Sequence, residues 1–79
     1  MRLHIINPNT TAAMTTKIGE AARHIAAPST TVVATQPADG PVSIESHFDE
    51  AISAVGVLKE VLAGEREATD AYIIACFGD

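Results

Sequence analysis

Leu3-His4-Ile5-Ile6-Asn7-Pro8 is the stretch on which the fold turns. Leu3 to Ile6 form a short β-prone run that ends sharply, because Pro8 has no N–H to give to a sheet ladder. A helix should follow. Met14, Ile18, Ala21, Ala22 and Ile25 recur at spacings of three and four, which places them on one stripe, with Lys17, Glu20 and Arg23 largely off it. Asn9 or Thr10 is the expected cap. Pro28-Ser29 ends the helix, since proline steers its preceding residue away from helical dihedrals.

Thr31-Val32-Val33-Ala34-Thr35 is β-branched apart from Ala34 and reads as a second strand, covered on both faces. Gln36 to Glu45 holds Pro37, Gly40 and Pro41, a loop composition. Ser46 and Asp49 then stand at capping-box spacing, with aspartate in the glutamate position. Phe48, Ile52, Val55, Leu58, Val61 and Leu62 form the apolar stripe of the second helix. A break is expected near Gly56, and Gly64 reads as a terminator that Glu65-Arg66-Glu67 could carry the helix past. Ala71-Tyr72-Ile73-Ile74-Ala75 is the third strand.

Strand, helix, strand, helix, strand implies a parallel sheet with right-handed crossovers. The expected class is a three-layer α/β fold of strand order 2-1-3, as in flavodoxin-like sheets, in one domain spanning residues 1–79. With that order the two connections leave the first strand in opposite directions and open a crevice beside the ends of strands one and three. Asn7 and Cys76 should flank it.

The chain has 79 residues, 47% of them hydrophobic, with Phe48, Phe77 and Tyr72 its only aromatics. Its core must therefore be thin and built from Val, Ile, Leu and Ala. A formal net charge of -5 repels nucleic acid and anionic lipid. No apolar run approaches the roughly 20 residues needed to span a bilayer, and the region after Arg2 is too short for a leader, so the cytoplasm is the expected compartment.

Cys76 is the single cysteine, which excludes an intramolecular disulfide and a multi-cysteine zinc site. It is either a packed thiol, the commoner fate of a lone cysteine ending an apolar strand, or a reactive one. His4, His24 and His47 are scattered with no i, i+4 pair, so no metal site is expected. Asn7 could equally be a turn residue before Pro8, and Asn9 is better explained by capping than by ligand contact. Ser43 and Glu45 sit in a loop whose default is solvated surface.

Three segments in order, Ile6-Asn7-Pro8-Asn9-Thr10-Thr11, Gly40-Pro41-Val42-Ser43-Ile44-Glu45 and Ala75-Cys76-Phe77-Gly78-Asp79, resemble the Asp/Glu/hydantoin racemase superfamily, closest to its hydantoin and allantoin racemase branch. Members are two to three times as long, with two similar α/β halves, and this chain resembles one half. The resemblance implies that Cys76 is one of two acid/base cysteines, the other lying in the missing half. It also points to Asn7 and Thr10 as residues that help hold the substrate; the backbone amides around Phe77, Gly78 and Asp79 are candidate donors to it on chemical grounds.

Inverting a carbon centre by this chemistry needs a base on one face and an acid on the other, and a thiolate and a thiol fill those roles. Donors fixed around the developing oxyanion supply much of the rate. Lys17 and Lys59 fall on helices rather than at a strand end, so pyridoxal phosphate is not expected, and the scheme needs no cofactor. Alone, the 79 residues should be inactive and, with an unpaired third strand, should self-associate into a homo-oligomer. A maleate isomerase or decarboxylase of the same superfamily, or a non-catalytic flavodoxin-like binding module, is the alternative.

Overall fold

The computed structural model describes residues 1–75; Cys76, Phe77, Gly78 and Asp79 lie outside the described residues. β1 (Arg2–Ile6) is the middle strand, with β2 (Thr31–Thr35) on one side and β3 (Ala71–Ile74) on the other, both parallel to it. The order is β2-β1-β3, the flavodoxin-like order expected. β1 pairs Arg2 with Thr31 through Ile6 with Thr35, and Leu3 with Ala71 through Ile6 with Ile74. α1 (Ala12–Ile25) and α2 (His47–Glu65) make the crossovers.

Side-chain alternation along β1 assigns each helix its face. Ile5 stands level with Ala34, and a Cβ on Gly19 of α1 would lie 3.1 Å from the Ala34 Cβ. His4 stands level with Tyr72, and both rings lie against Gly64 of α2. The helices therefore cover opposite faces, giving three layers. Ile5, Ile6 and Val32 are the buried apolar core, with Ile6 fully enclosed.

Both helices depart from the expected apolar stripes. The buried positions of α1 are Thr15 and Gly19, while Met14 and Ile25 are exposed. In α2 the buried positions are Ser53, Gly56 and Gly64, while Phe48, Ile52, Val55, Leu58 and Leu62 are exposed. Small residues mark the contact because they let a helix axis approach the sheet closely. The expected break at Gly56 does not occur, and α2 runs on to Glu65. At Gly56 a Cβ would lie 2.8 Å from the Pro37 Cβ, so the glycine makes room for the β2–α2 loop.

Gly64 is likewise a contact inside the helix, not its terminator; Arg66 is the C-cap. Ser46 caps α2 as expected, its hydroxyl accepting from Asp49 N at 3.1 Å, while the Asp49 carboxylate accepts from Glu45 N at 3.0 Å. The return bond of the capping box thus goes to the residue before the cap. α1 starts later than expected, with Thr11 as N-cap and no side-chain cap bond. Asn9 instead accepts from Thr11 N at 2.9 Å.

His4 is buried in the layer between β1 and α2, its Nε2 2.7 Å from Thr35 Oγ1 and its ring centroid 5.6 Å from that of Tyr72. Burial holds its pKa below the ordinary 6.5, assisted by Arg2 and opposed by Glu60 and Glu67. The folded state thus resists a proton that the unfolded chain accepts, so stability falls as pH drops below about 6.5 and levels once the native ring also protonates. Urea midpoints measured between pH 7.5 and 5 should fall more steeply for the wild type than for His4→Gln. Equal slopes would mean that the ring does not feel its burial.

Candidate active site

The carboxyl edge of the sheet is set by two ladder bonds beyond the strands. Asn7 N donates to Thr35 O, and Ala75 N donates to Ile6 O, each at 2.9 Å. The end of β3 is thereby fixed beside Asn7, at the point where the connections diverge from β1. In open α/β sheets that switch point is where ligands bind.

Asn7 is 1% exposed, and its side chain is fully engaged within the protein. Its Nδ2 donates to Asn9 Oδ1 at 2.9 Å, to Thr15 Oγ1 at 3.2 Å and to Thr11 O at 3.3 Å, while its Oδ1 accepts from Asn9 N at 3.3 Å. A buried amide must find such partners, and here they fold the β1–α1 loop around it. Thr10 is half-buried, and its backbone N–H donates to Pro41 O at 3.0 Å. Thr11 Oγ1 donates to Val42 O at 2.9 Å, so the two crossover loops are tied together.

Gly40 makes that tie possible. Its φ of 132° lies in the region that residues with a Cβ rarely adopt, and it turns the chain just before Pro41. Ser43 and Glu45 are exposed, and the Glu45 backbone belongs to the cap of α2. A groove of about 390 Å³ adjoins this edge, walled by Pro8, Ile44, Val57, Val61 and Ile74. Ser53, one of its polar members, already donates to Glu50 O at 2.8 Å.

Residues 6–11 and 74–75 carry amides and hydroxyls but no titratable side chain. This part of the edge can bind and orient a neutral polar molecule, and proton transfer needs a group from elsewhere. Among the described residues no three His, Cys, Asp or Glu side chains cluster as a metal site would require. Nor is any described helix long and apolar enough to cross a membrane. Cys76, Phe77, Gly78 and Asp79, the expected catalytic and neighbouring residues, lie outside the described residues; the chain reaches Ala75 in ladder contact with β1.

Thr15 was not among the expected site residues, although it buries a hydroxyl against Asn7. Its signal was the spacing Thr15, Ile18, Gly19, Ala22, a helical stripe visible only when threonine and glycine count as core positions.

The chain is 51% identical over 79 residues to the hydantoin racemase of Pseudomonas sp. (strain NS671), covering all of this chain and 32% of that protein. It is 48% identical over 79 residues to the hydantoin racemase of Rhizobium meliloti, again over all of this chain and 33% of the relative. Among solved structures, allantoin racemase from Klebsiella pneumoniae superposes with a TM-score of 0.94 at 55% identity, covering 98% of this chain and 31% of that one. The chain thus spans about a third of the length of these relatives. Residues 3–79 match the Asp/Glu/Hydantoin racemase family, and by that match, on the fold described above, the chain belongs to this family.

Proposed function

We propose that these residues form part of a cofactor-independent racemase of hydantoins, allantoin or related amino-acid derivatives, with Cys76 as one of its two proton-transfer groups. The observation that carries the reading is the Ala75 N to Ile6 O bond at 2.9 Å, which brings the chain just ahead of Cys76 to the switch point beside the β1–α1 loop. A thiolate on one face takes the proton from the stereogenic carbon. The electron pair moves onto the adjacent carbonyl oxygen, where fixed N–H donors stabilise it. A thiol on the opposite face then returns a proton, and the second thiol belongs to a part of the protein beyond these 79 residues.

Charge favours this substrate class over a dicarboxylate. Residues 6–11 and 74–75 include no cation: Arg2 opens β1 and Arg66 precedes β3, both at the amino end of the sheet, Lys17 is exposed on α1, and Lys59 lines a different hollow, beside Pro37 and Gly40. A maleate isomerase would have two carboxylates to neutralise, whereas a hydantoin ring presents carbonyls and N–H groups that suit neutral amides and hydroxyls. The apolar groove beside Pro8 and Ile74 suits the substituent carried by the stereogenic carbon. The exposed Phe48, Ile52, Val55 and Leu58 of α2 support the expected self-association.

The test is conversion of a single-enantiomer 5-substituted hydantoin by the full-length protein. Optical rotation should decay to zero with no loss of substrate, and in D₂O one deuterium should enter at the stereogenic carbon. Conversion of maleate instead assigns the isomerase. Neither activity, together with a Cys76 inert to iodoacetamide below pH 8, assigns a binding module.

A further inference from the structure

We infer that the chain pairs with a second copy of itself through the outer face of α2, the two helices antiparallel about a two-fold axis and Phe48 of each seated in a hollow of the other. This seam rests on the self-association proposed above, not on the racemase chemistry.

The outer face of α2 follows from its inner one. Ser53, Gly56 and Gly64 are buried toward the sheet. At 100° per residue Phe48, Ala51, Val55, Leu58 and Leu62 fall within about 40° of the direction opposite Ser53, and all five are exposed. Ile52 and Lys59 border them on the flank of the β2–α2 loop. A helix face turned to water is expected to carry charges, yet between Phe48 and Leu62 this one carries Lys59 alone.

The same face holds a hollow. Ile52, Val55, Gly56 and Lys59 stand at i, i+3, i+4 and i+7, the four positions that frame a hole for a knob from a neighbouring helix. Gly56 has no side chain to fill it, and Pro37 and Ala38 of the β2–α2 loop wall its far side, giving a volume of about 330 Å³. Ile74 at the end of β3 lies by the other flank of α2, near Val57 and Val61, so the hollow opens away from it.

A knob and a hole on one face make a surface complementary to itself, as an isologous contact demands. Phe48, 73% exposed, lies about 11 Å of helix before the centre of the hollow. An axis midway between the two, beside Ile52, sets Phe48 of each copy in the hollow of the other and brings Ile52 against its own counterpart. That register also places Lys59, the only cation of α2, opposite Glu45 of the second copy, at the acidic start of the helix where Asp49 and Glu50 follow. The contact is two-fold, so this charge complementarity occurs twice, and antiparallel helix dipoles attract.

Cross-linking reads the register directly. In the full-length protein Ile52→Cys should give a covalent dimer on a non-reducing gel after mild copper–phenanthroline oxidation. Leu62→Cys should not, because Leu62 lies about 15 Å along the helix from the axis and its two copies about 30 Å apart, whereas a disulfide needs Cα atoms within about 7 Å. Both side chains are exposed, so neither substitution opens the core. Phe48→Glu should sediment as a species of lower mass, with the dissociation constant of this contact raised at least about thirtyfold, the scale of losing an aromatic anchor. An unlinked Ile52→Cys, equal linkage at both positions, or a Phe48→Glu protein of unchanged mass overturns the seam and leaves self-association to another surface. A wild type that sediments as a monomer overturns both, and racemisation by the same samples reports on the chemistry separately.

Discussion

Replacing Cys76 by alanine should slow racemisation by about 10²- to 10⁴-fold, the range for losing a positioned acid/base group. The stereogenic carbon sets the requirement. Inversion moves one proton off one face and one onto the other, and the described edge beside β1 has amides and hydroxyls but no side chain that titrates near neutrality. If Cys76 is one of the two groups, none of residues 6–11 or 74–75 can take its place. The measurement is the decay of optical rotation of a single-enantiomer hydantoin, with the melting temperature as a check on folding. A well-folded Cys76→Ala protein that keeps more than a tenth of the wild-type rate would remove the cysteine from the mechanism.

Gly64→Ala should destabilise the fold by about 2 kcal/mol, although alanine is the better helix former by about 1 kcal/mol. A Cβ at Gly64 would lie 2.5 Å from His4 Nδ1, 2.8 Å from Tyr72 Cε1 and 2.9 Å from Tyr72 Oη. Neither ring is free to retreat. His4 Nε2 is held by Thr35 Oγ1 at 2.7 Å, and Tyr72 Oη donates toward Glu65 Oε2 at 2.5 Å and Val61 O at 3.2 Å. Relief must come from α2 lifting off the sheet, which opens the layer that buries His4. For a domain of this size the loss corresponds to a fall of roughly 8–16 °C in melting temperature.

Gly56→Ala is the control. The nearest atoms there are the Cβ and Cγ of Pro37, at 2.8 and 2.9 Å, on a loop that can shift more readily than two bonded aromatic rings. Calorimetry should place Gly56→Ala within about 1 kcal/mol of the wild type, since the gain in helix propensity offsets part of the clash. A Gly64→Ala protein as stable as Gly56→Ala would mean that the contact with His4 and Tyr72 relaxes at little cost.

Much of the fold was legible because β structure announces itself locally. Thr31–Thr35 is a strand at its expected bounds, Leu3–Ile6 lies within the observed Arg2–Ile6, and the parallel pairing followed from the alternation of elements, the order β2-β1-β3 from likeness to flavodoxin-like sheets. The helices were placed, but their faces were misjudged. Met14, Ile25, Phe48 and Val55 carry the larger apolar side chains, yet Thr15, Gly19, Ser53, Gly56 and Gly64 are the positions that touch the sheet. Hydrophobicity ranks side chains by what they gain from leaving water, whereas a close helix-on-sheet layer selects for what fits.

The same distinction explains the site. That Asn7 matters could be read from its place after β1; that its amide is turned wholly inward could not, because the partner Thr15 lies eight residues away and one helical turn into α1. From the sequence Asn9 looks like a cap, because residue type alone does not tell an asparagine that caps a helix from one that shapes the loop before it. Its oxygen stabilises the turn through Thr11 N.

The bonds from Thr10 N and Thr11 Oγ1 to Pro41 O and Val42 O constrain where relatives can gain or lose residues. Loops usually absorb insertions because nothing downstream notices them. An insertion between Gln36 and Pro41 would push the acceptor carbonyls out of register with the β1–α1 turn and unseat Thr10 and Thr11 together. The stretch 43–44, past the last of these tethers and before the Glu45 backbone that joins the α2 cap, carries no such hydrogen bond. Length variation within the family should therefore gather there, with the 36–42 arc kept at constant length even where its residues differ.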